Sequence, residues 1–128
     1  MPAKILVVDD DAPTVRLIEF LLGLDGYRIQ SAPNGMTALD LCKQEFPDLI
    51  ILNVLLPDSD GFYVCERLRH LGYSGPIIFT TARPDIPHMI RERKLDVAGC
   101  LLKPLMLDEI EALVHSLHPL PTSERSSK

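Results

Sequence analysis

The chain has 128 residues, of which 46% are hydrophobic, and a formal net charge of -5 at pH 7. This length suits a single domain that buries roughly two thirds of its unfolded surface. The negative charge argues against direct binding to nucleic acid or to an anionic membrane. Three scattered cysteines, Cys42, Cys65 and Cys100, predict inert reduced thiols and exclude a disulfide framework or a cysteine zinc site. There is no signal-peptide pattern and no apolar run of roughly 18 residues, so we expect a cytoplasmic protein.

Short apolar runs of strand length recur along the chain. Residues 5–8, 49–52 and 77–79 are continuously apolar, which is typical of central strands in a parallel sheet covered on both faces. Residues 27–30 alternate apolar with polar side chains, and residues 100–102 form a short apolar run. These two segments predict the edge strands.

Five segments with helical periodicity follow the five strands. The first begins near Pro13 and is expected to stop at Gly23 and Gly26, and the second runs from about Gly35 to Phe46, with Phe46 facing inward. The others lie after Gly61, between about residues 85 and 94, and from about residue 108 to 117. The alternation predicts an α/β fold: a doubly wound, flavodoxin-like parallel sheet with strand order 2-1-3-4-5 and five helices.

Polar side chains follow the predicted strands, at the edge of the sheet where parallel strands end. Asp9, Asp10 and Asp11 follow the first strand, Asn53 the third, Thr80 and Thr81 the fourth, and Lys103 the fifth. Clustered carboxylates are costly to bury unless a cation compensates, and Mg²⁺ prefers such oxygen ligands. The cluster therefore predicts a site for a metal ion together with a phosphate-like oxyanion, to which Thr81 and Lys103 would contribute a hydroxyl and a positive charge.

Four of these segments, taken in order, resemble the receiver domain of bacterial two-component response regulators. They are the acidic pair Asp9-Asp10 after ILVV, the stretch DLIILNVLLPDSDG around Asn53, Thr81-Ala82, and Lys103-Pro104. The resemblance covers residue 4 to about residue 118.

The resemblance implies a role for each of these positions. Asp10, the residue at position 53 and the Leu55 carbonyl would bind Mg²⁺, and Asp9 would act through water. Thr81 and Lys103 would contact the phosphoryl group. The family's phosphoacceptor is an aspartate at position 53, and a histidine kinase supplies the phosphoryl group.

The resemblance also implies a protein partner. The partner would be a histidine kinase, a phosphotransfer protein or an output protein, bound on the face formed by the fourth helix, fifth strand and fifth helix. Two copies of the chain would pair through the same face.

Two positions depart from the family pattern. Asn53 is neutral, and its amide nitrogen lone pair is delocalised, so we expect no acyl phosphate there and weak or no Mg²⁺ binding. Cys100 stands three residues before Lys103, where the family carries Tyr or Phe. A small thiol cannot move an aromatic ring between buried and exposed positions, so the usual relay should be missing.

Several polar residues have ordinary structural interpretations. Asp11 is expected to cap the first helix, and Thr80 to be ordinary strand sequence. Asp58 and Asp60 are alternative phosphoacceptors but more readily stabilise the turn before Gly61. The four histidines, His70, His88, His115 and His118, have no metal-binding spacing and are expected to be solvated.

Three functional interpretations remain open. The first is an atypical receiver that binds another protein without phosphoryl transfer. The second is an ordinary phosphorylatable receiver in which an engineered Asp-to-Asn change occupies position 53. The third is a flavodoxin-like redox protein, which three acids in the first loop argue against because they would repel a flavin phosphate. No enzymatic triad or Gly-rich phosphate loop is present, so we do not expect an enzyme.

The composition changes near the end of the chain. Residues 119–128 contain two prolines and three serines, and Leu120 is their sole apolar aliphatic residue. We expect residues 1–118 to form the receiver domain and residues 119–128 to be a disordered tail or the remainder of a linker. A stand-alone receiver and a piece of a longer protein are both compatible with this pattern.

Overall fold

A computed structural model describes residues 3–118, and the predicted tail at 119–128 lies outside the described residues. Strands and helices alternate as the sequence predicts. The elements are β1 (Lys4–Val8), α1 (Ala12–Leu24), β2 (Arg28–Ala32), α2 (Gly35–Gln44), β3 (Leu49–Asn53), α3 (Gly61–His70), β4 (Ile77–Thr81), α4 (Ile86–Arg93), β5 (Gly99–Leu102) and α5 (Leu107–Leu117). None of the helices within residues 3–118 combines the length and apolar character needed to cross a membrane.

The five strands form one parallel sheet in the order β2-β1-β3-β4-β5. The predicted fold class is therefore confirmed, with β1, β3 and β4 in the centre and β2 and β5 at the edges. Every residue of β3 and of β4 is buried, whereas β2 is buried at one residue of five. The continuous and the alternating hydrophobic patterns thus distinguished the central strands from the edge strands correctly.

Two apolar clusters cover opposite faces of the sheet. Alternate residues of β1 and β3, among them Leu6 and Ile50, pack with side chains of α2, α3 and α4. The intervening residues, among them Ile5 and Ile51, pack with side chains of α1 and α5. The protein therefore consists of three layers, helix, sheet and helix, because side chains of a strand alternate between its two faces.

Some element boundaries differ from the predicted ones. Strand β2 begins at Arg28 and continues to Ala32, so the buried Tyr27 lies just before the strand and not within it as predicted. Helix α1 continues through Gly23 and ends at Leu24, and the left-handed Gly26 (φ 95°) then turns the chain. Phe46 lies beyond the end of α2 and is 44% exposed, so the inward orientation predicted for it is wrong.

Candidate functional site

The predicted site residues come together where the parallel strands end. Asp9 directly follows β1, Asn53 and Thr81 are the last residues of β3 and β4, and Lys103 directly follows β5. Thr80 lies inside β4, as expected of ordinary strand sequence, and Thr81 is the last residue of that strand rather than following it; both are buried. We call this edge of the sheet the rim. It is where ligands bind in open parallel α/β sheets.

Asp9 and Lys103 form an ion pair across the rim. The Lys103 ammonium (Nζ) lies 2.9 Å from Oδ2 of Asp9. Asp9 is only 4% exposed. The other oxygen, Oδ1, accepts a hydrogen bond from the Asp11 backbone N–H at 2.9 Å. Both oxygens of this buried carboxylate therefore have partners inside the protein, as a buried charge requires.

Asn53 is 6% exposed, and both ends of its amide face protein groups. Its Nδ2 donates to the Leu55 carbonyl at 2.7 Å, and its Oδ1 accepts a longer, 3.4 Å hydrogen bond from the Thr80 hydroxyl. A carboxylate has no hydrogen to donate to a carbonyl oxygen. The bond to Leu55 is therefore specific to the amide at this position.

Thr81 and Arg83 shape the rim beside Asn53. The Thr81 hydroxyl accepts a hydrogen bond from the Arg83 backbone N–H at 3.1 Å. The Arg83 guanidinium pairs with Asp85 through two hydrogen bonds of 3.1 and 2.6 Å, just before α4 begins. The Asp85 carboxyl consequently has a lowered pKa, chiefly because it accepts these bonds from Arg83.

A cleft of about 330 Å³ opens beside Asn53, Thr81 and Lys103. Its other lining includes the apolar side chains of Phe62, Ile86 and Met89, which belong to α3 and α4. Sequence reasoning assigned these residues no place near the site. The helical spacing of Ile86 and Met89 indicated only core packing, and no sequence pattern singled out Phe62.

The resemblance implies Mg²⁺ at the rim, and the residues do not fit it as they are arranged. Asp10 is exposed at the rim and offers a carboxylate. The other two oxygen donors are already engaged. The Leu55 carbonyl accepts a hydrogen bond from Asn53, and the Asp9 carboxylate is paired with Lys103. Mg²⁺ requires oxygens arranged as a near-ideal octahedron. Binding here would first require the Asn53 amide to turn.

Cys100 occupies the place where the resemblance implies an aromatic ring. It is half-buried and packs against the apolar cluster that contains Phe79. Burial raises the pKa of its thiol, and it raises the pKa of the Cys42 thiol to about 11. Because both thiols are packed among apolar groups and resist ionisation, these cysteines behave as apolar side chains.

The aromatic contact near Cys100 is made by Phe79, whose ring meets that of Phe62 edge-on with centroids 5.2 Å apart.

The remaining acids near the rim bind helix ends. Asp11 caps α1 by accepting from the Thr14 N–H, as predicted, and Asp60 caps α3 by accepting from the Tyr63 N–H. Asp58 accepts a hydrogen bond from the Ser59 hydroxyl at 3.3 Å, within the turn before Gly61, as expected. Its carboxylate also accepts from the backbone N–H groups of Gly35 and Met36, the first two residues of α2, each at 2.9 Å.

Two of the four histidines contradict the prediction that they are solvated. His70 and His88 are exposed, as expected. His115 is half-buried, and its Nε2 lies 3.1 Å from Oδ2 of Asp25. His118 is also half-buried, and its Nδ1 has no hydrogen-bond partner among residues 3–118. The sequence could not show this because Asp25 lies 90 residues from His115.

Two proteins named as regulators are similar to this chain over about nine tenths of its length. Response regulator MprA of Mycobacterium sp. (strain KMS) is 36% identical over 117 residues, which cover 91% of this chain and 51% of that protein. "Probable transcriptional regulator ycf27" of Porphyridium aerugineum is 38% identical over 114 residues, which cover 89% of this chain and 47% of that protein. The chain thus spans about half the length of these relatives.

Solved structures of response regulators share the fold. Chemotaxis response regulator CheY4 of Vibrio cholerae superposes with a TM-score of 0.84 at 25% identity, over 91% of this chain and 99% of that one. A two-component response regulator from Clostridium difficile gives a TM-score of 0.83 at 27% identity, over 90% of this chain and 94% of that one. The family model described as the response regulator receiver domain matches residues 5–115. The chain therefore belongs to the response regulator receiver domain family of two-component signalling.

Proposed function

We propose that this chain is a receiver that accepts no phosphoryl group at Asn53 and acts by binding another signalling protein in the cytoplasm. The observation that carries the proposal is the neutral amide at the end of β3, whose Nδ2 donates to the Leu55 carbonyl at 2.7 Å. The matched relatives are named as response and transcriptional regulators, and we assign the chain no reaction of its own.

The chemistry of an amide explains the lack of phosphoryl transfer. An aspartate attacks phosphorus through an anionic oxygen, whereas the carboxamide of Asn53 is uncharged and its nitrogen lone pair is delocalised. The amide oxygen faces Thr80, and the amide nitrogen faces the Leu55 carbonyl. Neither atom is an effective nucleophile.

We also propose that Mg²⁺ binds weakly or not at all. Replacing a carboxylate by an amide removes one of three negative charges from the group formed by Asp9, Asp10 and position 53, and a neutral oxygen is a weaker ligand. The Asn53 amide hydrogen, which carries a partial positive charge, points at the Leu55 carbonyl oxygen and repels a cation that would bind to that oxygen. The Asp9–Lys103 ion pair offsets the charge that a cation would otherwise neutralise.

A surface formed by α4, β5 and α5 is suited to a protein partner. Leu102, Met106 and Leu107 are 41%, 54% and 45% exposed at the end of β5 and the start of α5. Exposed basic residues, Arg91 and Arg93, lie in the last turn of α4. Because α4 runs back along the sheet, these arginines lie toward the other end of the surface from Leu102, Met106 and Leu107. The exposed apolar side chains favour a partner with an apolar surface.

A second exposed apolar surface competes with this one. Leu17, Phe20 and Leu24 lie on one face of α1 and are 37%, 68% and 71% exposed. Their spacing of three and four residues places them in one stripe. A docking test therefore has to compare both surfaces.

The phosphoryl-transfer proposal is tested with the purified chain, Mg²⁺ and acetyl phosphate. We expect the intact mass to stay unchanged. A gain of about 80 Da that hydroxylamine removes identifies an acyl phosphate, and peptide mapping then distinguishes Asn53 from Asp58 and Asp60. A modified Asn53, Asp58 or Asp60 would contradict the proposal that the chain works without phosphoryl transfer. We expect no reaction at Asp58 or Asp60, because both carboxylates already accept backbone hydrogen bonds at helix ends.

A phosphorylatable receiver carrying an engineered change at position 53 is the second candidate, because every other rim residue of the family pattern is present. The variant Asn53→Asp distinguishes the two when Mg²⁺ and beryllofluoride, a phosphoryl mimic, are added. We expect amide NMR shifts confined to the rim, since Cys100 cannot relay the change. Shifts that spread to α4, β5 and α5 would favour the second candidate.

Partner docking is tested by a matched pair of substitutions. Met106→Asp and Phe20→Asp each place a charge on one exposed apolar surface, and neither removes core packing. Each variant is used as bait for histidine kinase, phosphotransfer and output proteins of the two-component class. We expect Met106→Asp to abolish an interaction that Phe20→Asp retains, and the reverse result would place the partner on α1.

A further inference from the structure

Three side chains with metal-binding atoms meet at the edge of the sheet opposite the rim. Asp25 caps the carboxyl end of α1, and Glu111 and His115 lie one turn apart on α5. One ligand atom from each residue lies within 4.8 Å of those of the other two. Helices that follow parallel strands run back along the sheet, so the ends of α1 and α5 lie far from Asn53. This group is therefore separate from the site described above.

The fold holds the ends of α1 and α5 together. Helices α1 and α5 pack on the same face of the sheet through one apolar cluster that includes Leu22 and Val114. Tyr27, which follows α1, donates its hydroxyl hydrogen to the His118 carbonyl at 2.6 Å. Its ring centroid lies 6.0 Å from that of His115. The two helix ends are thus joined by contacts that do not depend on any ion.

The donor atoms suit a transition metal better than Mg²⁺. Imidazole nitrogen with carboxylate oxygens is a common ligand set of Zn²⁺, which bonds to such atoms at about 2.0–2.2 Å. Mg²⁺ prefers oxygen ligands alone. His115 Nε2 is already 3.1 Å from Asp25 Oδ2, so a small movement admits an ion between them.

Charge also favours a divalent cation at this place. The Asp25 side chain is 14% exposed, and that of His115 is 34% exposed. Asp25 and Glu111 contribute two carboxylates, with a charge of -2, to this group. A divalent ion offsets all of it. We propose that Asp25, Glu111 and His115 bind a divalent transition metal ion, with Zn²⁺ as its probe, and that the ion ties the end of α1 to α5.

The proposal is tested with the full chain, its cysteines kept reduced by a phosphine that does not chelate zinc. Calorimetry should show one Zn²⁺ bound per chain, and Mg²⁺ at a large excess should not displace it. Thermal melting should show a Zn²⁺-dependent rise of the melting temperature, because an ion that binds the folded state stabilises it. Histidine NMR should show the imidazole resonances of His115 shifting with added Zn²⁺.

Matched variants separate this site from other zinc ligands. His115→Gln and Glu111→Gln should each weaken Zn²⁺ binding about tenfold or more. His88→Gln, which removes the histidine of an exposed pair with Glu92 on α4, should leave it unchanged. If His115→Gln fails to fold, as judged by circular dichroism, Glu111→Gln decides alone.

Three results would overturn the proposal. One is the absence of saturable Zn²⁺ binding to the reduced, folded chain. Another is binding that persists at full strength in Glu111→Gln, which would assign the ion to other ligands such as the thiols. The third is an unchanged melting temperature with bound Zn²⁺, which would show that the ion does not join the two helices.

Discussion

At the scale of single residues, the rim depends on pairs that satisfy one another. Asn53 and the Leu55 carbonyl form one pair, and Asp9 and Lys103 form the other. Asp9 is nearly fully buried, so its charge needs Lys103 and the Asp11 N–H. Removing one member of such a pair leaves a buried polar group without its partner, and this costs more than the pair contributes.

Lys103→Met tests this ion pair. It keeps an unbranched side chain of nearly the same length but removes its charge, and we expect it to lower the free energy of unfolding by about 1–3 kcal/mol. The measurement is urea unfolding at pH 7, with Asp9→Asn and the double variant completing a cycle. The double variant should lose less than the two single losses combined, and simple additivity would show that the pair does not act as a unit.

Asp58 provides a second residue-scale test, through pH. The backbone N–H groups of Met36 and then Gly35 donate to its carboxylate and lower its pKa. A lowered pKa in the folded state gives stability that is present above the ordinary carboxyl pKa, near 4, and is lost as pH falls through the folded value. Asp58→Asn should therefore lower the unfolding midpoint at pH 7.

The same variant should approach the parent chain as the solution is acidified below about pH 4, where the parent loses the contribution of the carboxylate. Asp40→Asn, an exposed change on α2, is the control for removing one negative charge. A difference between Asp58→Asn and the parent that stays constant with pH would contradict the assigned hydrogen bonds.

At the scale of elements, the junction between β3 and α3 leaves no room for a side chain at Gly61. A Cβ atom there would lie 2.7 Å from the Asn53 carbonyl oxygen and 2.9 Å from the Val54 Cα. Both are backbone atoms and cannot rotate away. The Gly61 N–H also donates to the Val54 carbonyl at 2.6 Å. The start of α3 is therefore pressed against the strand end that carries Asn53.

Gly61→Ala should destabilise the protein by about 1–3 kcal/mol, because the backbone must shift to admit the methyl group. Gly23→Ala is the matched control: its Cβ would meet nothing within 4 Å, and it lies inside α1. Alanine is the better helix former by about 0.5–1 kcal/mol, so this variant should be more stable than the parent. Urea unfolding measures both, and equal losses would contradict the assigned crowding at Gly61.

At the scale of the whole molecule, one sheet separates two cores. Leu22 belongs to the core under α1 and α5, and Cys42 to the core under α2 and α3. Because β1, β3 and β4 supply side chains to both, damage on one face should weaken the other. Small single domains of this size usually unfold cooperatively.

Leu22→Ala tests this coupling. The residue is fully buried, so its truncation should cost about 2–5 kcal/mol. If unfolding is cooperative, thiol labelling of Cys42 on the opposite face should accelerate by a factor of about 30 or more. Leu24→Ala, at a residue 71% exposed, should change stability by less than about 0.5 kcal/mol. Unchanged labelling in Leu22→Ala would show that the two cores open independently.

Much of this architecture could be read from the chain alone. Apolar runs and helical spacing report how a segment is buried, and burial on one or both faces follows from local sequence. The order of the elements, the central position of β1, β3 and β4, and the arrival of Asp9, Asn53, Thr81 and Lys103 at one rim were all predictable for this reason. Parallel strands necessarily end at the same edge.

Other features depend on segments that are distant along the chain. The bond from Asp58 to α2 joins residues 22 and 23 positions apart, and the contact of Asp25 with His115 joins residues 90 apart. Neither spacing carries a local signal, because it depends on how the helices pack on the sheet. The direction of the Asn53 amide, set by Thr80 and the Leu55 carbonyl, likewise required the folded neighbours to be in place. Periodic patterns thus set which residues are buried, while packing between remote segments set which of them touch.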